Sequence, residues 1–249
     1  MEAITMADLP MITISIPTYN LGSYLNKTLE SILHQTDQNF EIWLVDDAST
    51  DKTADTVAQF EQADPRIHAH YFDTHQGVSK ARNYAIEHAK GEIIVFVDGD
   101  DLLEPNYLEV IATGFTDPTV DLVGVGYTWG WRGGQSGRHA FTEISKTNAY
   151  ASINHRGGDF GGYTWNKGFK MKIIQDNQLR FDETLDLAED LLFTAQYTLA
   201  AHKILYYPDA LYTKVSRSNS IIHSATWEMR SKEQAVRQRI DKMGRSMQP

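Results

Sequence analysis

The sequence contains no cysteine. Disulfides and thiolate metal sites are therefore excluded. It also has no apolar run long enough to form a membrane-spanning helix. The first ten residues have neither a basic start nor an apolar core, so they do not match a secretory signal. These absences lead us to expect a cytoplasmic protein.

Positive charge is in short supply. The chain has 23 lysine and arginine residues against 33 aspartate and glutamate residues, a net charge of -10. A nucleic-acid-binding protein normally shows a basic face, so this balance argues against nucleic acid as a partner. If so acidic a protein binds an anionic phosphate ligand, a cation must lie between them.

Glycine-rich phosphate loops are missing too. Neither the dinucleotide fingerprint G-x-G-x-x-G nor a P-loop follows the first predicted strand, so neither dinucleotide nor Walker-type ATP binding is favoured. Apolar runs instead alternate with segments of helical periodicity. The predicted strands are 11–16, 40–45, 67–72 and 93–97, and the predicted helices are 21–35, 51–60 and 77–89. This order predicts a Rossmann-like α/β fold with a doubly wound, mostly parallel sheet.

Polar side chains follow three of these strands where each strand ends. Residues 18–20 are Thr-Tyr-Asn, residues 46–47 are Asp-Asp, and residues 98–101 are Asp-Gly-Asp-Asp. Ligands of such sheets bind beyond the carboxyl ends of the strands. We therefore expect the three clusters to face one crevice.

The stretch IIVFVDGDD, residues 93–101, carries the clearest chemistry. Asp98 and Asp100 lie two apart, so on an extended chain they point the same way. Like charges at the end of a buried strand are costly unless a cation or hydrogen-bond donors meet them. A divalent metal is the simplest answer, and the alternative is a solvated Asp-Gly turn. The Ca²⁺ loop pattern fails because Leu102 and Leu103 stand where it needs a polar ligand and glycine.

The second half is less regular, as expected of a segment that shapes a substrate pocket. The predicted elements are a helix at 105–113, a strand at 121–127, a turn at Gly133 and Gly134, helices at 163–174 and 189–201, and strands at 204–207 and 211–215. From residue 225 onwards the sequence predicts a basic amphipathic helix. That tail could lie on the anionic inner face of a membrane, or pack on its own domain or on a dimer partner.

Six short segments, in order, match a known family. They are SIPTYN at 15–20, VDDASTDKT at 45–53, GVSKARN at 77–83, VDGDD at 97–101, WNK at 165–167 and AEDLLF at 188–193, with an Arg-x-x-Ser-Ile pattern at 217–221. Over residues 12–220 the chain therefore resembles the inverting GT-A glycosyltransferases of family 2. The resemblance implies a single domain at 1–224, with a nucleotide-sugar half at about 11–101 and an acceptor half at about 102–224, followed by the tail at 225–249.

The resemblance implies that Pro17, Thr18 and Tyr19 line the nucleotide pocket. Asp47 would accept a hydrogen bond from the imino N–H of the base, with Asp46 beside it. A carboxylate can accept from uracil but gives nothing to an acceptor-only edge. On local sequence alone, the two aspartates and the residues after them predict a helix-capping turn. Both interpretations can hold together.

Arg82 matches an arginine that faces the donor site in this family. The alternative is a surface helix residue paired with Glu87 or Asp73.

Asp98, Gly99 and Asp100 match the DxD motif of the family. Asp98 would hold the ribose or a metal-bound water, Gly99 would let the backbone approach the donor, and Asp100 would ligate Mg²⁺ or Mn²⁺. The cation would take up the charge that grows on the departing nucleotide diphosphate. His223 could reach the metal when a lid closes, and the alternative is a surface histidine. Oxygen-only ligands suit a hard cation rather than zinc.

Asp190 matches the catalytic base, which takes the proton of an acceptor hydroxyl in one inverting displacement. The start of a helix would favour its ionised form, whereas Glu189 beside it would raise its pKa. The alternative is that both residues merely begin a helix. Glu189 and Trp165 are assigned to the acceptor site, because aromatic faces suit sugar rings. A core position is the alternative for Trp165, and Asn166 and Lys167 are further candidates.

Two departures from the family refine the prediction. Chain-extending members carry Gln-x-x-Arg-Trp and membrane helices, whereas here residues 234–237 are followed by Gln238. We therefore expect one sugar per reaction. Val215 stands where relatives often have a basic residue in a closing loop, which puts phosphate clamping by that loop in doubt.

The sequence thus predicts a metal-dependent hexosyl- or N-acetylhexosaminyl-transferase. It would move one sugar from a nucleotide-diphosphate donor, UDP-linked, to a hydroxyl acceptor in surface polysaccharide or glycolipid assembly. A nucleotidyltransferase is one alternative, although it would need a basic phosphate loop after the first strand. A non-catalytic nucleotide-sugar-binding module is the other.

Overall fold

A computed structural model describes residues 9–130, 139–155, 160–216 and 225–245. Its strands are β1 Ile12–Thr18, β2 Phe40–Asp46, β3 Ile67–Tyr71, β4 Ile93–Phe96, β5 Leu102–Leu103, β6 Val120–Trp129, β7 Thr142–Ile144, β8 Lys167–Lys170 and β9 Lys203–Lys214. Its helices are α1 Tyr24–Leu33, α2 Thr53–Ala63, α3 Val78–His88, α4 Tyr107–Gly114, α5 Lys146–Ile153, α6 Met171–Asp176, α7 Glu189–Ala200 and α8 Trp227–Gly244.

The first half forms the parallel part of one mixed sheet. The strand order is β3-β2-β1-β4-β8-β6-β9-β5, with β7 paired to β9. β1 pairs in parallel with β2 and β4, and β2 pairs in parallel with β3. Both faces of these strands are covered by helices, which is why their residues are apolar without alternation. The predicted fold class is confirmed.

The first strand runs two residues further than its apolar pattern predicts. β1 continues through Pro17 to Thr18, which lies opposite Asp46 of β2. The partner on the other side, β4, pairs only as far as Ser15. Pro17 has no N–H to give a neighbour there, so the proline costs no ladder bond.

The second half places an antiparallel strand in the sheet where the sequence predicts the start of a helix. β8 pairs antiparallel with both β4 and β6, and the helix begins only at Met171. The prediction of a helix from 163 was wrong because Gly168 and its neighbours fill a narrow gap in the sheet. A Cβ on Gly168 would lie 2.5 Å from Ile111 Cγ2.

Further differences follow from long-range pairing. The two short strands predicted at 204–207 and 211–215 are one strand, β9, which pairs in parallel with β6 and shifts register twice near Pro208. β5, β7 and α5 carry no strong periodicity and were not predicted.

The tail forms α8, which packs on the domain. Val236 and Ile240 are buried against Ile153 of α5 and Leu191 of α7, and the Tyr150 hydroxyl donates to the Ile240 carbonyl at 2.8 Å. Across the four described segments, no helix has both the length and the apolar character needed to cross a membrane. The predicted turn at 133–134, the Arg-x-x-Ser-Ile pattern and His223 lie outside the described residues.

Candidate active site

The carboxyl ends of β1 and β2 are joined by side-chain hydrogen bonds. The Thr18 hydroxyl donates to Asp46 Oδ1 at 2.9 Å, and the Asp47 amide donates to the Thr18 carbonyl at 2.8 Å. Asp46 also accepts from the hydroxyl and the amide of Ser49. Asp46 therefore fixes the turn after β2, as the capping interpretation predicts.

Asp47 is held rigidly at the entrance to α3. Its two carboxylate oxygens accept from the amides of Gln76 at 2.6 Å and Gly77 at 2.8 Å, and His75 Nδ1 lies 2.9 Å from Oδ2. The Tyr19 ring lies 4.3 Å from the His75 ring and is 43% exposed. The arrangement offers a flat aromatic surface beside a fixed carboxylate, the two features that a nucleobase site needs.

The carboxylates of Asp98, Asp100 and Asp101 form a compact cluster. One oxygen from each lies within 4.8 Å of the others. Oxygen donors at this spacing fit a hard divalent cation such as Mg²⁺ or Mn²⁺. Gly99 serves packing here, because a Cβ on it would lie 2.4 Å from Leu21 Cδ1.

Lys214, at the end of β9, lies in this acidic cluster. Its Nζ is 2.7 Å from Asp98 Oδ2 and 2.9 Å from Asp101 Oδ2. Asp101 also accepts from the Tyr212 hydroxyl at 2.6 Å and from the Val215 amide at 2.8 Å. Burial raises the pKa of Asp101 to about 7, although Lys214 opposes the rise.

Arg82 joins the acidic cluster to the start of α7. It is 4% exposed, and its guanidinium donates to Glu189 Oε1 at 2.8 Å and to Asp98 Oδ1 at 3.1 Å. Burial favours the neutral acid at Asp98, but Lys214 and Arg82 outweigh it and lower the pKa of Asp98 to about 2. Arg82 Nε has no hydrogen-bond partner among the described residues. The alternative of a surface arginine paired with Glu87 or Asp73 was wrong, because helix packing buries this face of α3.

Asp190 lies in the first turn of α7, beside Glu189. Ala188 precedes them with φ 64, a left-handed conformation that non-glycine residues adopt at a cost. Burial raises the pKa of Asp190 to about 7, Glu189 raises it further, and Arg82 acts in the opposite direction. The upward influences outweigh the start of the helix, so this carboxyl has the proton affinity of a general base that works near neutral pH.

Trp165 is 4% exposed, and both of its faces are covered. Tyr163 stacks on it at 4.8 Å and Tyr212 at 4.7 Å. Its indole therefore supports the wall of the site, and a direct sugar contact would require one of these rings to move. The acceptor role of Trp165 stays a prediction.

Lys167 is fully buried beside the loop that packs on α7. Its Nζ donates to the carbonyls of Phe160 at 2.6 Å and Tyr163 at 2.7 Å and to Asn166 Oδ1 at 2.8 Å. Burial lowers the pKa of Lys167, and the negative charge of Asp190 opposes this. Three oxygens around one nitrogen need three N–H donors, so we infer that the ammonium form is present.

The structure therefore brings the predicted donor, metal and base residues to one end of the sheet. Sequence reasoning missed Lys214, Tyr212 and His75. Tyr212 and Lys214 are two apart at the end of a strand, the same spacing that drew attention to Asp98 and Asp100. That spacing was the available signal.

The fold and these strand-end clusters define a Rossmann-like α/β protein of the GT-A type. The family model "Glycosyl transferase family 2" matches residues 13–188, and the chain belongs to that family. Glu189 and Asp190 lie just beyond the matched range.

The similar curated proteins are also glycosyltransferases. The putative glycosyltransferase EpsH of Bacillus subtilis (strain 168) is 30% identical over 86% of this chain and 63% of its own length. The poly(ribitol-phosphate) beta-N-acetylglucosaminyltransferase TarS of Staphylococcus aureus is 28% identical over 80% of this chain and 34% of its own. The chain thus spans less than two thirds of either relative.

Solved structures agree on the architecture. S. aureus TarS residues 1–349 in complex with UDP-GlcNAc match with a TM-score of 0.78 and 26% identity, covering 94% of this chain and 66% of that one. The mannosyltransferase PcManGT from Pyrobaculum calidifontis matches with a TM-score of 0.69 at 20% identity, covering 94% of this chain and 65% of that one, and this supports the fold alone.

Proposed function

We propose that this chain is an inverting glycosyltransferase that moves one sugar from a nucleotide-diphosphate donor to a hydroxyl acceptor. The observation that carries the proposal is the Arg82 bridge. One guanidinium binds Asp98 of the acidic cluster and Glu189, although Glu189 lies 107 positions away in the sequence. The donor side and the base side of the site are thereby held in contact.

The donor is a UDP-sugar. Asp47, Tyr19 and the end of β1 form the base site, with Pro17 and Thr18 lining its floor. The solved TarS complexes with UDP and UDP-GlcNAc share this fold at 26% identity, which supports uracil as the base. A hexose or an N-acetylhexosamine fits the same reaction class.

The acceptor is a glycan or lipid-linked glycan in surface polysaccharide or glycolipid assembly. Two similar proteins support this class. TuaG of Bacillus subtilis is a putative teichuronic acid biosynthesis glycosyltransferase, 39% identical over 40% of this chain and 40% of its own length, and TarS modifies poly(ribitol-phosphate).

A divalent cation, Mg²⁺ or Mn²⁺, would be held by Asp100 and Asp98. When bound, it supplies positive charge that stabilises the departing nucleotide diphosphate. The chain's own residues do the rest. Arg82 keeps Asp98 oriented, and Asp190 takes the proton of the acceptor hydroxyl as that oxygen attacks the anomeric carbon from the face opposite the leaving group.

Residues 1–224 form one catalytic domain, with a nucleotide-sugar half at about 11–101 and an acceptor half at about 102–224. The tail at 225–249 completes it, because α8 packs on α5 and α7. The exposed basic face of α8 provides a contact for a second copy or for an anionic membrane surface.

The test is a panel of nucleotide sugars with Mn²⁺, read by protection against thermal unfolding and by release of nucleotide. We expect UDP-sugars to protect and to be consumed, and we expect EDTA and Asp100→Ala to remove the effect. Asp176→Ala, an exposed aspartate on α6, serves as the matched control. Indifference to every nucleotide refutes the proposal.

Asp190→Asn separates an enzyme from a binding module. We expect this variant to keep donor protection and lose about 10²–10⁴-fold in turnover, the usual contribution of a general base. The exposed Asp186→Asn, four positions earlier, is the control and keeps wild-type turnover. Near-normal turnover in Asp190→Asn removes Asp190 from its role.

A further inference from the structure

Both oxygens of Asp98 are already engaged by cationic side chains. Arg82 lies on Oδ1 at 3.1 Å, and Lys214 Nζ lies on Oδ2 at 2.7 Å. The same ammonium lies 2.9 Å from Oδ2 of Asp101, whose side chain is fully buried. Lys214 thus bridges two of the three carboxylates that form the candidate cation site.

Lys214 is fixed in this position by the sheet. It is the last residue of β9, opposite Trp129 of β6, and its side chain is 16% exposed. Its Nζ also lies 6.0 Å from the centre of the Trp165 ring. A lysine held on both sides in this way is a built-in counter-charge of the acidic cluster rather than a surface residue.

A divalent cation and this ammonium would compete for the same oxygens. A carboxylate oxygen has two lone-pair sites, but two cations sharing one oxygen repel each other strongly in a partly buried site. Arg82 cannot make room, because it is buried and also held by Glu189. Lys214 is the cation that can withdraw.

We propose that Lys214 occupies the cation site in the metal-free protein, and that Mg²⁺ or Mn²⁺ binds only by displacing it from Asp98. The inference rests on the proposed function in placing the metal at this cluster. Its consequence is that the affinity for a divalent cation is lower than the carboxylates alone would give. Lys214 therefore sets the metal affinity of the site.

The test is Mn²⁺ binding without nucleotide, measured on the full chain by the loss of the electron paramagnetic resonance signal of free Mn²⁺. Lys214→Met should bind Mn²⁺ at least about tenfold more tightly than wild type. Lys214→Arg, which keeps the charge, should bind no more tightly than wild type. Lys170→Met is the matched control, since Lys170 lies opposite Ile93, at the other end of β4.

Two further variants locate the ion. Asp100→Asn should abolish Mn²⁺ binding in the wild-type and Lys214→Met backgrounds, with circular dichroism showing that each variant is folded. If Lys214→Met binds Mn²⁺ no more tightly than wild type, the inference is overturned. Nucleotide-sugar turnover is scored separately, so tighter Mn²⁺ binding without turnover contradicts the proposed function and leaves the role of Lys214 standing.

Discussion

At Asp190, the surroundings rather than the residue type decide when the carboxyl is ionised. Burial and the adjacent Glu189 raise its pKa to about 7, and Arg82 limits the rise. At Asp98 the cationic neighbours prevail and lower the pKa to about 2. Two aspartates in one site are thereby set to different tasks, one to hold a proton near neutrality and the other to stay charged.

The raised pKa of Asp190 predicts how activity depends on pH. A base must be deprotonated to act, so kcat/KM should rise with pH and level off above about 7. A pH profile of kcat/KM with saturating Mn²⁺ measures this. A profile that is already flat at pH 5 contradicts the assignment.

The same pKa predicts the sign of a stability effect. The folded state keeps its proton up to about pH 7, whereas the unfolded chain loses it near 3.8, so this group costs stability as pH rises between these values. Asp190→Asn should therefore be more stable than wild type at pH 8, by about 2 kcal/mol after allowing for water at a half-buried group. The difference should vanish at pH 4, and urea unfolding at both pH values checks it.

At the scale of elements, α8 is bound to the domain through a narrow apolar face. Val236 and Ile240 contact α5 and α7, while Lys232, Gln238 and Arg239 on the same helix are exposed. The amphipathic pattern predicted the helix. Its partner was left open, because an apolar stripe can pack on protein, on a second copy or on lipid.

Ile240→Ala tests how much this face contributes. Ile240 is 1% exposed, so the cavity left behind should cost about 2–4 kcal/mol of unfolding free energy. For a chain of this size, that lowers Tm by roughly 5–12 °C. Gln238→Ala, on the exposed face, is the control and should change stability by less than about 0.5 kcal/mol. Equal effects of the two variants would show that α8 is not packed in this way in solution.

β8 shows how one short strand joins the two halves. It fills the space between β4 and β6, and its Gly168 leaves room for Ile111 of α4. A residue with a side chain at this position would push the helix off the sheet. The parallel first half and the mixed second half therefore share one hydrogen-bonded sheet.

At the scale of the whole molecule, this continuity predicts cooperative unfolding. The two halves have no separate sheets, so neither buries its core without the other, and we expect a single transition in urea. Far-ultraviolet circular dichroism and tryptophan fluorescence should give coincident curves, since Trp43 reports on β2 and Trp165 on the second half. Two separated transitions would show that the halves are independent domains.

Much of the first half could be predicted from local pattern. Apolar runs such as 93–97 encode strands buried on both faces, and their ends carry Thr18, Asp46 and Asp98 to one edge of the sheet. The family segments added Asp190, which its local sequence alone does not distinguish from the start of a helix. No local pattern revealed β8, because its place depends on β4 and β6.

The sequence by itself determined the family, the parallel core and the acidic cluster, since strand periodicity and short motifs are local properties of the chain. Only the tertiary structure decided which charges meet. Arg82 binds Glu189 across 107 positions, and Lys214 binds Asp98 across 116. Such pairs arise when distant segments pack in one sheet, and the resulting burial sets the pKa of each carboxyl.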